Sequence, residues 1–460
     1  MKNRKIFFDI TTSYYWQGED VGIVRTEKAL AKILLDNIPK HVIFCLFSKT
    51  NKNFTILSHD NIAELVKSKN LPEVNQDIIK NAPPPIEDII LNIISKKIFK
   101  NISKKTIPIH YHLACKSFYE ALKHFIYSIK CIRGEIFSKK INKKQTQISS
   151  LIFSHNDVYI SLGLDWDKGN LKELYKIVRD IGIKTVLFCY DLIPYKFPQF
   201  CAPEYSVKIS HYFNELLWCA NYVICISESS KKDLIEYAKA TSGPLPNLKV
   251  INIGCDLFKT TTKKIEFNEK SLINNKDFIL TVSTIEPRKN HIILYNVWKK
   301  LYEYDSKNCP LLVIVGRNGW LCNDLQSIIK QDCYINKHII VINNANDFVL
   351  EWLYKNCLFT VFPSFYEGWG MPVAESLYHG KYCISSNTSS FPEVSQNLIE
   401  MVDPLDFYSW YSAIKDLLEN RSKLKLLENN IKKNYKPITL NSMAINFLNF
   451  IKTEFNVGKN

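Results

Sequence analysis

The sequence predicts an α/β protein built from two doubly wound domains, and three observations carry that expectation. Short apolar runs of strand length alternate with amphipathic stretches of helix length over most of the 460 residues. The runs are continuous rather than alternating, as in strands of parallel sheets covered on both faces. There are eleven of them, too many for one ordinary sheet of this kind.

The expected strands of the first domain are Lys5–Ile10, Val42–Phe47, Val158–Leu162, Thr185–Tyr190, Tyr222–Ile226 and Val250–Ile253. Those of the second are Phe278–Val282, Leu311–Val315, Ile339–Ile342, Leu358–Phe362 and Tyr382–Ser385. Helices are expected at Val24–Leu35, Leu171–Ile181, His291–Tyr302 and Phe348–Tyr354. A polar linker, TTKKIEFNEK, lies within Gly254–Ser271 and marks the boundary. The expected division is residues 1–255, residues 256–435, and a C-terminal helix in 436–460 that packs back on the first domain. Residues 51–149 fit neither repeat and are expected to form a helical insertion in the first domain.

Composition excludes disorder and small disulfide scaffolds, with 46% hydrophobic and 23% charged residues. The formal charge of +15 is concentrated. From Lys96 to Lys144 thirteen basic residues face two acidic ones, a net of +11, so the rest of the chain is nearly balanced. This block is open to three readings: a solvated helical face, a surface for anionic lipid head groups, or a nucleic-acid site. The membrane surface is the partner carried forward, and no nucleic acid is expected. The thirteen cysteines include no C-x-x-C pair and mostly interrupt apolar runs, as small core residues of a reducing compartment do. Asp9 ends the first apolar stretch too early for a signal peptide, and no apolar run approaches 18 residues. A cytoplasmic location, with peripheral contact at the inner face of the membrane, is expected.

Glycine is scarce, with 14 in the chain, so its placement is informative. Gly18 and Gly22, Gly316 and Gly319, and Gly368 and Gly370 each follow an expected strand, where open α/β sheets bind ligands. The richest stretch is FPSFYEGWGMPVAESLYHG, residues 362–380. Glu367 ends the strand, Gly368-Trp369-Gly370 turns, and a helix begins near Met371-Pro372 with Glu375 in its first turns. Carboxylates at such a site accept hydrogen bonds from vicinal hydroxyls, and free N–H groups at a helix start suit phosphate. On the same rim, TVSTIEPRKN places Arg288 and Lys289 at a strand-to-helix junction, where an adjacent fork and point charge neutralise a diphosphate.

Together these residues resemble the retaining GT-B glycosyltransferases of the GT4 family, including bacterial mannosyltransferases of surface-polysaccharide assembly (lipopolysaccharide or capsule). The match is Glu367 and Glu375 as an E-x7-E element, Arg288 and Lys289 as phosphate-binding cations, and GRNGW and SSFPEV as flanking loops, over residues 150–435. SLGLDWD, CYDLIPYKFPQF and the N-terminal DITTSYYWQGEDVGIVRT also correspond. The resemblance implies a GT-B fold whose two Rossmann-like domains face a cleft. It also implies transfer of a hexosyl, favoured mannosyl, unit from a nucleotide-sugar to a glycan or lipid-linked oligosaccharide.

On this basis the catalytic residues are Glu367, Arg288 and Lys289. Donor binding falls to Glu375, Gly368, Trp369, Gly370, Met371, Gly316 and Arg317, with Glu375 on the ribose. Gly22, Arg25, Asp165 and Asp191 are assigned to the acceptor side of the cleft. GDP-mannose is the favoured co-substrate, with no cofactor and no metal; Asp165-Trp166-Asp167 is read as a cleft loop and not as a metal-binding D-x-D. The chain departs from many relatives at Ser283-Thr284 (Gly-Arg there), Tyr190-Asp191 (His-Asp) and Ser389-Ser390 (two glycines).

Overall fold

The structure is a computed structural model that describes residues 4–17, 22–49, 51–67, 153–255, 267, 270–273, 276–343 and 345–458. Gly18, nearly all of the linker and the whole basic block lie outside the described residues.

The first domain is a seven-stranded sheet of order β3-β2-β1-β4-β5-β6-β7. Its strands are β1 (Ile6–Asp9), β2 (Val42–Ser48), β3 (Asn53–Leu57), β4 (Val158–Ser161), β5 (Lys184–Cys189), β6 (Tyr222–Cys225) and β7 (Asn247–Val250). The second is a six-stranded sheet of order β10-β9-β8-β11-β12-β13. It comprises β8 (Phe278–Val282), β9 (Leu311–Val315), β10 (Ile339–Ile342), β11 (Thr360–Phe362), β12 (Cys383–Ser386) and β13 (Met401–Val402). β1, β4 and β9 are buried at every position, as central strands covered on both faces must be.

Three edge elements differ from the sequence expectation. β3 runs antiparallel to β2 and is only intermittently buried, so the sheet continues into residues expected to start the insertion. The helix His59–Lys67 then packs beside helix Gly22–Asn37. β7 lies three residues before the expected Val250–Ile253, because an edge strand needs little apolar sequence and the run VINI leads out of the sheet instead. β13 has two residues, too short to leave a periodic signal.

Helix Leu440–Phe455 lies on the first domain, against helix Gly22–Asn37. Phe447 meets Phe188 at 6.0 Å, and Tyr222 sits edge-on to Phe450 and Phe455 at 5.7 and 5.5 Å. A capping box between Thr439 and Ser442 starts this helix. The chain therefore passes between domains twice, and the two passages run side by side, with Cys255 N–H donating to Ile438 C=O at 2.9 Å. Gly254 permits that approach, since a Cβ there would lie 2.3 Å from the Leu440 nitrogen.

The described cysteines are free thiols, most of them buried. Among the described residues no helix is long and apolar enough to cross a membrane.

Candidate functional site

The loops after β8 and β11 meet at the C-terminal end of the second sheet. Pro287–Lys289 forms a single tight turn, and Asn290, in the left-handed conformation at φ 55°, starts helix His291–Tyr304. Phe365 N–H donates to Arg288 C=O at 2.9 Å and ties the two loops together. Gly370, at φ 94°, then turns the chain into helix Met371–Tyr378, with Pro372 in its first turn. A side chain at Gly370 would meet the Phe391 ring at 3.1 Å.

This construction brings Glu367, Arg288 and Lys289 into one cluster. Glu367 Oε2 lies 2.9 Å from Arg288 Nη1, and Oε1 lies 2.5 Å from Lys289 Nζ. Arg288 also donates from Nη2 to Glu286 Oε1 at 2.7 Å and from Nη1 to Tyr366 C=O at 2.6 Å. All three side chains are at most 15% exposed, so their charges interact through little water. Burial alone would raise the Glu367 carboxyl, but Arg288 and Lys289 outweigh it and hold it down to about 2. Burial pulls the Lys289 ammonium below its ordinary range, against the opposing field of Glu367. Burial also works against Arg288, yet Glu367 and Glu286 keep its guanidinium more firmly protonated than usual.

The first domain closes over this cluster. Gly368 packs so tightly on it that an added Cβ would lie 2.8 Å from Tyr190 C=O and 3.1 Å from the Asp191 Cβ. Ser227 Oγ donates to Gly368 C=O at 2.9 Å. Burial raises the Asp191 carboxyl; Arg288 acts in the opposite sense across the cleft. Asp191 thus joins the cluster, with its Oδ1 accepting Ile193 N–H at 3.1 Å.

Glu375 stands one turn into helix Met371–Tyr378 and accepts a 2.9 Å hydrogen bond from the buried Tyr354 hydroxyl. Trp369 is buried, and its indole N–H has no acceptor among the described residues. Met371 opens the helix and is partly exposed. Gly316 is explained by packing, because a Cβ there would lie 1.9 Å from Ser283 C=O where the ends of β8 and β9 touch. The side chain of the next residue, Arg317, is exposed.

The remaining acceptor-side candidates lie elsewhere. Gly22 begins its helix with open space around it, and Arg25 pairs with Asp347 of the second domain at 3.5 Å. Asp165 is 1% exposed and belongs to a buried network at the ends of β1 and β4. It accepts from Ser161 at 2.7 Å and pairs with Lys168 at 3.4 Å, while Lys168 also reaches Asp9 at 3.5 Å. Asp167 turns away to an ion pair with Lys208, so the two carboxylates of the D-x-D stretch do not converge.

The SSFPEV loop, and two aromatic residues to which the sequence assigns no role, complete the site. Ser389 Oγ accepts Glu367 N–H at 3.0 Å, and Ser390 Oγ donates to Trp369 C=O at 2.7 Å and Glu367 C=O at 3.2 Å. Ser389 has φ 51°, a conformation glycine takes freely and other residues rarely adopt. Glu393 spans the domains, its carboxylate accepting N–H groups of Glu228 and Ser229 at 2.8 and 2.9 Å from the start of helix Glu228–Ala240. Tyr366 donates to Asp233 at 2.7 Å. Phe365 stacks on Phe200 at 5.2 Å.

Two doubly wound domains, parallel but for the edge strand β3, closing on a charged cluster at their strand ends define the GT-B class of fold. Residues 263–436, most of the second domain, match the model for glycosyl transferases group 1. The serotype-specific mannosyltransferase WbdA of Escherichia coli is 27% identical over 224 residues, 47% of this chain and 27% of WbdA. The O-antigen chain mannosyltransferase B of Escherichia coli is 25% identical over 228 residues, 48% of this chain and 59% of that protein. The O-antigen chain mannosyltransferase RfbU of Salmonella typhimurium is 29% identical over 158 residues, 34% of this chain and 42% of RfbU. In each case the match spans less than two thirds of the relative. Among solved structures, Anabaena Alr3699/HepE in complex with UDP aligns over 98% of this chain and 100% of its own, with TM-score 0.58 and 13% identity.

Proposed function

We propose that the protein transfers a hexosyl unit, favoured to be mannosyl, from a nucleotide-sugar to a glycan or lipid-linked oligosaccharide, with retention of configuration and without metal or cofactor. The observation that carries this reading is the Glu367–Arg288–Lys289 cluster at the strand ends of a domain that matches the glycosyl transferases group 1 model. GDP-mannose is the favoured donor because the curated relatives are named mannosyltransferases.

Cleavage of the bond between sugar C1 and phosphate leaves its electron pair on the diphosphate. In this reading Arg288, Lys289 and the N–H groups opening helix Met371–Tyr378 stabilise that charge. Glu375, oriented by Tyr354, takes the ribose hydroxyls. Glu367 is held ionised by two cations and is therefore a weak nucleophile and a weak base, which suits it to accept hydrogen bonds from the donor sugar. The acceptor hydroxyl attacks C1 on the face the diphosphate leaves, so configuration is kept, and its proton passes to the phosphate oxygen released from C1 as the nucleoside diphosphate departs. A cytoplasmic site at the inner face of the membrane accords with a lipid-linked acceptor.

The test is to incubate the protein with GDP-mannose, UDP-glucose and other common nucleotide-sugars, with α-linked mannose oligosaccharides as acceptors, and to follow released diphosphate and product anomer by NMR. Transfer of mannose with the α configuration kept is expected. Nucleotide binding without transfer from any donor would overturn the enzymatic reading.

A further inference from the structure

A cavity of about 400 Å³ opens in the first domain beside the ends of β1 and β2, apart from the Glu367 cluster. Its walls include Thr11, Thr12 and Tyr15 of the short helix after β1, then Trp16, and Ser48 and Lys49 where β2 ends. Lys168 and Asp167 close the other side.

The chemistry of this lining selects a class of ligand. Lys168 is already compensated by Asp9 at 3.5 Å and Asp165 at 3.4 Å, and Asp167 by Lys208. Lys49 donates to the Asp167 carbonyl at 3.3 Å. With Lys168 and Asp167 in ion pairs and the Lys49 ammonium turned onto a main-chain carbonyl, the cavity offers hydroxyls and ring faces, the combination that holds a neutral ligand rich in both C–H and O–H groups. Tyr15 is 62% exposed, leaving its ring available to such a ligand.

The wall is also built rigidly. Thr11 Oγ1 accepts Phe47 N–H at 2.8 Å, Thr12 Oγ1 accepts Leu164 N–H at 2.9 Å, and Glu27 accepts Ser13 N–H at 2.6 Å. Gly163 leaves the room for this arrangement, since a Cβ there would lie 2.0 Å from Thr12 Oγ1 and 2.7 Å from Lys168 Nζ. A preformed wall of this kind lowers the entropic cost of binding.

Strand order fixes the cavity's offset from the reaction centre. Asp191, which faces the Glu367 cluster, follows β5, two strands from β1 and three from β2. At the usual strand spacing that is about 10–14 Å. This is too far for the sugar that receives the new unit, and within reach of residues farther along the same chain.

We infer that the cavity is a distal acceptor subsite holding neutral sugar residues of the growing glycan behind its acceptor end, an inference that rests on the transferase reading. Calorimetric titration of the full chain with methyl α-mannoside and α-linked mannobiose, mannotriose and mannotetraose tests it. The same series is run on Tyr15→Ala and Tyr15→Phe, with GDP titrated into all three proteins. Affinity should rise at least tenfold from monosaccharide to tetrasaccharide in the parent chain. That gain should vanish in Tyr15→Ala and persist in Tyr15→Phe, with GDP affinity equal throughout. Equal affinity at every length, or a length gain that survives Tyr15→Ala, would overturn the subsite. A length gain lost in Tyr15→Ala, in a protein that fails to bind GDP, would support the subsite while removing the transferase reading.

Discussion

Replacing Glu367 by Gln keeps its shape and removes its charge from between Arg288 and Lys289. Moving a carboxyl from its ordinary 4.5 to about 2 corresponds to about 3 kcal/mol of preference for the ionised form. Because the folded-state value is depressed, this contribution is present above pH 4.5 and is lost as pH falls towards 2. The parent should therefore exceed Glu367→Gln in unfolding free energy by up to about 3 kcal/mol at pH 7, the gap closing below pH 4.5. Ligand binding should respond differently. In the free protein both cations are engaged by Glu367, so a diphosphate must compete with that carboxylate; in the variant it does not. GDP should bind Glu367→Gln as tightly as the parent or more tightly, and raise its melting temperature by more. Turnover should fall by about 100-fold or more, since the loss lies on the sugar side. Denaturant unfolding across pH, calorimetry and steady-state kinetics read these quantities. GDP binding weakened tenfold with turnover intact, or a stability gap unchanged from pH 7 to 3, would refute the assignment.

Glu375→Ala should weaken GDP binding by about 2–3 kcal/mol through loss of two charged hydrogen bonds, and Tyr354→Phe by about 1 kcal/mol through loss of orientation; equal affinities by calorimetry would count against the ribose contact. Ser390→Ala removes the donor to Trp369 and Glu367 carbonyls and should lower stability by about 1–3 kcal/mol in urea unfolding. Glu27 is fully buried, and burial raises its carboxyl to about 7 despite Lys168. A raised carboxyl stabilises the fold below pH 4.5, and that contribution is lost as pH rises through 7. Glu27→Gln should accordingly flatten the melting profile between pH 5 and 8; a slope equal to the parent's would contradict it.

The central strands were legible because burial on both faces writes an unbroken apolar run, as in LLVIV of β9. β3 and β13 were not, since an edge strand or a two-residue strand needs no such run. At the site, Glu367, Arg288 and Lys289 could be read as residue types suited to a diphosphate and a sugar at strand ends. Tyr354, Ser390 and Glu393 could not, because their roles depend on tertiary contacts. Tyr354 reaches Glu375 from another helix, Ser390 bonds the main chain of a loop more than twenty residues away, and Glu393 caps a helix in the other domain. Asp165 shows the converse limit. Its spacing from Asp167 suggested a shared loop, yet one carboxylate turned inward to a buried ammonium and the other outward.

Helix Leu440–Phe455 has a consequence for how the protein is made. It covers Tyr222 and Phe188 of the first sheet, but the ribosome delivers it only after every strand of the second. The first domain must wait with an apolar face uncovered while the second is synthesised and folds. The second domain is contiguous in sequence and completes first, so the order of maturation runs against the order of synthesis.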